Sequence, residues 1–492
     1  MEFLSQEGRF WLPRQPERTV HGLVAFLQDG VTLNLEGALH APDRSGSGGG
    51  PVLAAEPVIH GCLRDGRQVT LYQASGLTWP VEGIEETWQA EFLLTGGLVR
   101  DNRFIQAQIV FDYLTPWAQP ASIVTGAFGR DDVVIDTRRV TIAQATLSDK
   151  TKVRLCTGVE GRSNHASVHL DQWTALEVTS QARKARPMKR VLGDWVRPLQ
   201  DLLVVSLGHP VSISQLAVRP EGQPAGASLL EVACQLVQPP PAASPKAIDI
   251  NGYTSPALLT YRESPVPFTE LIPAWFELRE RLRDVITDLC GPFYAPFIYS
   301  GHRYASTFQS AEALAQILFG TKQKERKQHR ERVEAVTKAL AAADLNEDNL
   351  NWAKAVLQSR NDKPLRQLID ELIAAADVMG AQLLQAAPCL AAEAATARAG
   401  VSHPGTTGPG IVRRYWLGEA IAWLVRANVL AQLGIPMEDL AAKATQKASF
   451  MNVVNWLKAA DSSARTDTPG YRHGSCPVNH RTKATMSRCK NN

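Results

Sequence analysis

Up to about residue 265 the chain places apolar and polar residues in short alternating runs, at 20–26, 31–35, 68–73, 104–113, 153–159, 166–178, 202–218 and 229–237. Val31-Thr32-Leu33-Asn34-Leu35 shows the pattern. Successive side chains of a strand point to opposite faces, so alternation means one face buried and one wet. Turn formers punctuate the runs: Gln28-Asp29-Gly30 predicts a hairpin turn, and residues 45–50 a glycine-rich loop. No long helical stretch is expected here, and the reading is a β-rich unit of sandwich or barrel type. Pro239, Pro240, Pro241 and Pro245 predict a loop or linker, because proline cannot donate to a central strand.

Beyond Pro265 and Pro267 the period changes to that of a helix. Residues 268–289 put Trp275, Leu278, Leu282 and Ile286 on one stripe, and 305–319 do the same with Phe308, Ala311, Ala315 and Leu318. Pro364 stands at an expected first helical position before Leu365, Leu368, Ile369, Leu372 and Ile373. Residues 413–433 form a last long helix, stopped by Gly434 and Pro436. Trp275, Trp352, Trp416, Trp423 and Trp456 fall at the helical spacing expected of core. The fold class is therefore α+β and multidomain: a β-rich domain over 1–265, an all-α helical bundle over 266–460, and a polar tail, 461–492, expected to be disordered.

At 492 residues with 44% hydrophobic and 21% charged residues, the chain has ample material for a large core. Its net charge of +3 is concentrated in the tail, which holds six basic residues against two acidic. The rest is slightly acidic, so bulk charge gives no case for general nucleic-acid binding. The seven cysteines are scattered, which fits a reducing compartment better than a disulfide framework. The N-terminus lacks the order of a signal peptide, and no apolar run reaches the ~18–20 residues of a membrane span. A cytoplasmic protein without membrane attachment is expected. There is no P-loop, GxGxxG, GxSxG or HExxH pattern.

One short stretch carries candidate chemistry: Arg398-Ala399-Gly400-Val401-Ser402-His403-Pro404. A histidine near its ordinary pKa can take a proton from a ribose 2′-OH or return one to a leaving oxygen. A permanently charged guanidinium can hold the phosphate and offset charge in the transition state. On a straight helix the two side chains would diverge by about 140° and ~7.5 Å. Pro404 disfavours helical backbone at His403, which lets that residue fold back toward Arg398 or face a second chain. Spacing alone is weak evidence, since Arg14…His21 and Arg162…His169 also fit a spacing of four to six intervening residues.

The order of motifs along the chain resembles ApeA-type anti-phage proteins. Gly8-Arg9-Phe10-Trp11-Leu12-Pro13, His21-Gly22-Leu23, residues 31–37, Val58-Ile59-His60-Gly61 and residues 66–71 resemble their N-terminal domain. Gly301-His302-Arg303-Tyr304-Ala305, Arg360-Asn361, Leu365-Arg366, Arg398…His403 and residues 430–435 resemble the Apea-like domain of the HEPN ribonuclease superfamily. The resemblance spans about residues 1–460. It implies a metal-independent endoribonuclease of antiviral defence with Arg398 and His403 as catalytic residues and no cofactor. RNA, such as tRNA or another structured RNA, would be the substrate, and a homodimer or higher oligomer would form through the HEPN bundle. The N-terminal domain would sense a phage-derived trigger or restrain the effector. Ala399 departs from the polar residue that usually follows the motif arginine; it points to the alternative, a catalytically inactive HEPN scaffold for oligomerisation or binding.

Three other clusters have plainer readings. Lys322, Lys324, Arg326, Lys327, Arg330 and Arg332 form a basic run that could grip a phosphate backbone, but the interleaved Glu325, Glu331 and Glu334 favour a solvated helix face. Arg183, Lys184, Arg186, Lys189 and Arg190 lie between expected strands and could be an RNA contact or a soluble loop. His473, Cys476, His480 and Cys489 match no zinc-finger spacing, and no metal site is expected.

Overall fold

The computed structural model describes residues 5–27, 30–40, 52–78, 85–120, 124–125, 134–135, 139–164, 167–181, 184–224, 226–234, 236, 252–295, 299–343, 346–402 and 408–466. The alternating runs of the first 95 residues become β1 (Ser5–Trp11), β2 (Val20–Leu27), β3 (Gly30–Leu35), β4 (Val52–Leu63), β5 (Gln68–Thr78) and β6 (Glu86–Thr95). They pair antiparallel in the order β6-β3-β2-β1-β4-β5, and β5 returns to β6 and closes a barrel. Leu27 pairs with Gly30, whose φ of 112° suits only glycine, as the turn signal required. Phe10, Val24, Leu33, Ile59, Leu71 and Trp88 fill the interior. Gly61 makes room for Phe10: a Cβ there would stand 2.5 Å from the ring.

The sheet continues past the barrel. β7 (Phe104–Phe111), β10 (Val140–Thr146), β11 (Lys152–Asn164), β12 (Ser167–Thr179), β13 (Ile213–Pro220) and β14 (Leu230–Cys234) join in the order β10-β11-β12-β7-β13-β14-β6. β8 (Val124–Thr125) and β9 (Val134–Ile135) pair separately, and α1 (Leu114–Ala118) follows β7.

Residues 202–218, expected as a strand, divide differently. A continuous helical segment runs through α2 (Met188–Arg190), a π-helical turn (Val191–Val196) and α3 (Arg197–Leu207), and only then does β13 begin. Every residue from Pro198 to Leu207 is buried. A run apolar on all sides has no face to betray its period, which is why Leu202–Leu207 reads equally well as a buried strand. The expectation of no long helix before residue 265 is corrected with it.

The remaining described elements are helices: α4 (Phe268–Arg281), α5 (Arg283–Tyr294), α6 (Ser300–Phe319), α7 (Arg326–Ala342), α8 (Glu347–Ser359), α9 (Leu365–Ala375), α10 (Asp377–Ala386), α11 (Leu390–Ser402), α12 (Ile411–Ala431), α13 (Met437–Thr445) and α14 (Ala448–Thr466). The single helix expected over 268–289 is two, broken at Leu282 where φ is −107° and ψ is 28°. Gly434 takes a φ of +83° just past α12, as its stop signal required. α14 crosses residue 461, the expected start of a disordered tail, and residues 467–492 lie outside those described. Trp275 and Trp423 are core, whereas Trp352 is 69% exposed and Trp456 49%, the latter stacked on Trp416.

A continuous apolar core links the outer half of the sheet to the helices, running from Phe104 and Leu155 through Leu203 and Trp275 to Leu372 and Leu424. α3 lies between the two halves and is held by side chains from three helices. Trp275 of α4 donates to the Pro198 carbonyl at 2.7 Å, and Arg279 of α4 to Asp201 at 2.7 Å. Tyr294 of α5 donates to the other Asp201 oxygen. From α12, the buried Arg426 donates to the carbonyls of Val205 (2.8 Å), Ser206 (3.2 Å) and Pro256 (2.9 Å). A cation against the C-terminal carbonyls of a helix is favoured by the helix dipole. Burial outweighs this and pulls the guanidinium pKa down to about 9.

Candidate active site

α11 owes its placement to small residues. Leu390, Ala391, Ala394 and Ala397 are buried at helical spacing and let α11 lie close against α6, α9 and α12. Arg398 follows the last of them and turns to the rim, its side chain 35% exposed. Its guanidinium stands 3.6 Å from the Glu312 carboxylate of α6, itself 31% exposed. His403 lies outside the described residues, so Arg398 is the half of the expected pair that can be placed.

Gly408, the first described residue after α11, lies beside that helix: a Cβ there would stand 3.8 Å from the Thr396 carbonyl. Two consecutive arginines at the start of α12 fasten this corner. Arg413 grips Glu393 of α11 with two bonds, 2.8 and 3.0 Å, and donates to the Leu457 carbonyl of α14 at 2.6 Å. Arg414 donates to the Pro409 carbonyl at 3.3 Å. Arg303 of α6 pairs with Glu419 of α12 at 2.8 Å. Tyr304 packs where Gly418 has no side chain, and burial raises its phenol pKa. α6, α11, α12 and α14 thus form a frame, and the Arg398 guanidinium sits at its solvent edge with Glu312 as its ion-pair partner among the described residues.

Glu312, Arg413 and Arg414 were not among the expected site residues. Glu312 is 86 positions from Arg398, and no local pattern announces a pairing across that separation. The double arginine Arg413-Arg414, ten positions after His403, was the available signal.

The other two Arg…His matches lie in the β-rich half. Arg14 is held by Glu56 at 2.7 Å, and Arg162 and His169 are cross-strand neighbours in β11 and β12. In the 183–190 cluster, Arg186 pairs with Asp149 and Asp194, both at 2.6 Å, and lies over Trp195, whereas Lys184, Lys189 and Arg190 are exposed. Arg183 and the four tail residues His473, Cys476, His480 and Cys489 lie outside the described residues. Among the described residues no three His, Cys, Asp or Glu side chains group as a metal site. Among them, too, no helix is long and apolar enough to cross a membrane.

The chain thus joins a barrel-bearing β-rich domain to a helical domain that carries an arginine at its rim. The family comparisons agree. Residues 5–275 match ApeA N-terminal domain 1, and residues 306–439 match Apea-like HEPN. The chain belongs to the ApeA family and has the architecture of a defence-related HEPN effector. No curated protein and no solved structure matches the chain.

Proposed function

We propose that this protein is an antiviral endoribonuclease of the cytoplasm that cuts RNA without a metal ion. The observation that carries the reading is the Arg398 guanidinium, a third exposed at the rim of the Apea-like HEPN domain and five positions before His403 in the sequence. In this mechanism Arg398 exchanges Glu312 for the scissile phosphate and offsets the charge that builds on it. His403 removes the 2′-OH proton as the 2′ oxygen attacks phosphorus. The 5′ oxygen then leaves and takes a proton from an imidazolium, giving a 2′,3′-cyclic phosphate and a 5′-OH. DNA lacks the nucleophile and is spared.

A homodimer would supply a second His403, one copy serving as base and the other as acid. Supporting this is an apolar strip beside the motif: Ile411 is 68% exposed, Val412 57% and Trp456 49%, with Tyr415 between. Exposed apolar patches of this kind mark association surfaces. The N-terminal domain (1–265) would sense the trigger or restrain the HEPN domain (266–460), and α3 is the contact through which it would do so.

The test is cleavage of RNA and of matched single-stranded DNA by the purified full chain in excess EDTA. RNA is expected to be cut and DNA not. His403→Ala and Arg398→Ala should each abolish cutting with an unchanged melting curve, while Arg14→Ala and Arg162→Ala cut normally. Chelator-sensitive cleavage, or equal cutting of DNA, sinks the mechanism. A wild-type protein that binds RNA and never cuts it supports the scaffold reading to which Ala399 points.

A further inference from the structure

Between α6 and α9 the chain leaves the bundle and returns as a two-helix arm, α7 and α8. The arm contributes little to the fold: Val333 is the one buried residue of α7, and α8 buries none. Its root, in contrast, is tightly clasped. Gln323 donates its N–H to the Asn361 carbonyl and Lys363 to that of Thr321, both at 2.8 Å. The Asn361 amide bonds the Lys324 backbone in both directions, at 2.8 and 3.2 Å. Lys363 Nζ reaches the Phe319 carbonyl and Glu371, both at 2.8 Å. An arm that packs on nothing yet is held in a fixed direction needs a reason outside the fold.

Its charge supplies one. Residues 321–338 carry seven Lys and Arg against three Glu, whereas 339–363 carry three against four. Lys324, Arg326, Lys327, Arg330 and Arg332 are exposed, and among the described residues none of them has an ion-pair partner. The interleaved glutamates therefore do not neutralise them. The position fits as well. Glu312, which meets Arg398, and Phe319, which roots the arm, are seven residues apart on α6. Seven residues are two turns, so both lie on nearly the same face, about 10 Å apart along the axis.

We propose that the basic base of this arm grips the phosphate backbone of the RNA whose scissile phosphate sits at Arg398. The inference rests on the ribonuclease reading but concerns binding beyond the cleaved bond. The arm acts through charge and not base identity, so it adds affinity and orientation without sequence preference.

The experiment compares the full chain with a variant carrying Lys324→Gln, Arg326→Gln, Lys327→Gln and Arg330→Gln, all exposed positions where glutamine keeps the helix. Binding of a single-stranded 2′-O-methyl RNA, which cannot be cut, is measured across a salt series. Four lost phosphate contacts should make the log–log salt slope shallower by about three. The ratio of cleavage rate on long RNA to that on a dinucleotide, too short to reach the arm, should fall as well. Glu331→Gln with Glu334→Gln should move binding the other way. A wild type that cuts RNA with a slope the four substitutions leave intact overturns the arm proposal and spares the ribonuclease. Arm-dependent binding without cutting does the reverse. If the wild type does not bind RNA at all, both fall, and a change in oligomeric state with an unchanged slope marks the arm as a self-association surface and rejects the proposal.

Discussion

Arg426 and Arg398 show what environment makes of one side chain. Arg426 is fully buried and commits its donors to three carbonyls of the β-rich half; Gly208 completes the fit, since a Cβ there would fall 2.1 Å from Nη1. Replacing Arg426 by Met keeps the bulk but takes the donors from the Val205 and Pro256 carbonyls, and should cost about 1–3 kcal/mol, read by denaturant unfolding. Gly208→Ala should also destabilise, through its φ of 63° and the clash with the guanidinium. In the double variant the clash is gone, so the two costs should sum to less than their total. Arg398 is the opposite case: partly exposed, with one carboxylate at 3.6 Å that competes with any phosphate. Half-exposed ion pairs are worth about 0.2–1 kcal/mol. Glu312→Gln is therefore expected to lower KM for RNA by about two- to fivefold with little change in melting temperature. A raised KM would show that Glu312 instead holds Arg398 in its working position.

At the scale of elements, legibility followed exposure contrast. β1 to β6 bury one face and wet the other, and α9 carries a clear apolar stripe, so their periods are written in the sequence. α3 has no wet face and was missed. The break at Leu282 was missed because the apolar stripe runs unbroken from Trp275 through Leu282 to Ile286 across two helices. Trp352 kept helical spacing but sits on the arm, where there is no core to receive it. Half the candidate site was legible in the same sense: the Arg398 motif is local, whereas Glu312 joins it only through the packing of α6 on α11. These differences predict unequal tolerance. Excising residues 322–362 and joining Thr321 to Lys363 by a short glycine linker should leave the melting temperature nearly unchanged. Leu203→Ala in α3, one side chain in a fully buried helix, should cost about 2–5 kcal/mol. If the excised protein melts like the Leu203 variant, the arm packs more tightly than its burial indicates.

On the scale of the whole molecule, two family domains share one core. β7 meets the π-helical turn that leads into α3, and α3 meets α4, α5 and α12, all within one apolar cluster. Interfaces between independent domains are usually modest and polar, and permit relative motion. Here the junction is apolar and is further tied by the Asp201–Arg279 and Arg426 bonds. Burial raises the Asp201 carboxyl pKa against the pull of Tyr294 and Arg279, a cost that persists only because the two halves are docked. The helical half removed from α3 would expose Trp275, Leu278 and the Arg426 donors to water, and α3 would lose the Arg426 bonds to its Val205 and Ser206 carbonyls. The two halves should accordingly unfold together. Calorimetry of the full chain is expected to show a single transition with equal calorimetric and van't Hoff enthalpies. A fragment of residues 266–466 should melt at a markedly lower temperature or fail to fold. Two resolved transitions, one of them reproduced by the fragment, would mean that α3 joins the halves without coupling them, and the route from N-terminal sensing to the Arg398 rim would have to lie elsewhere.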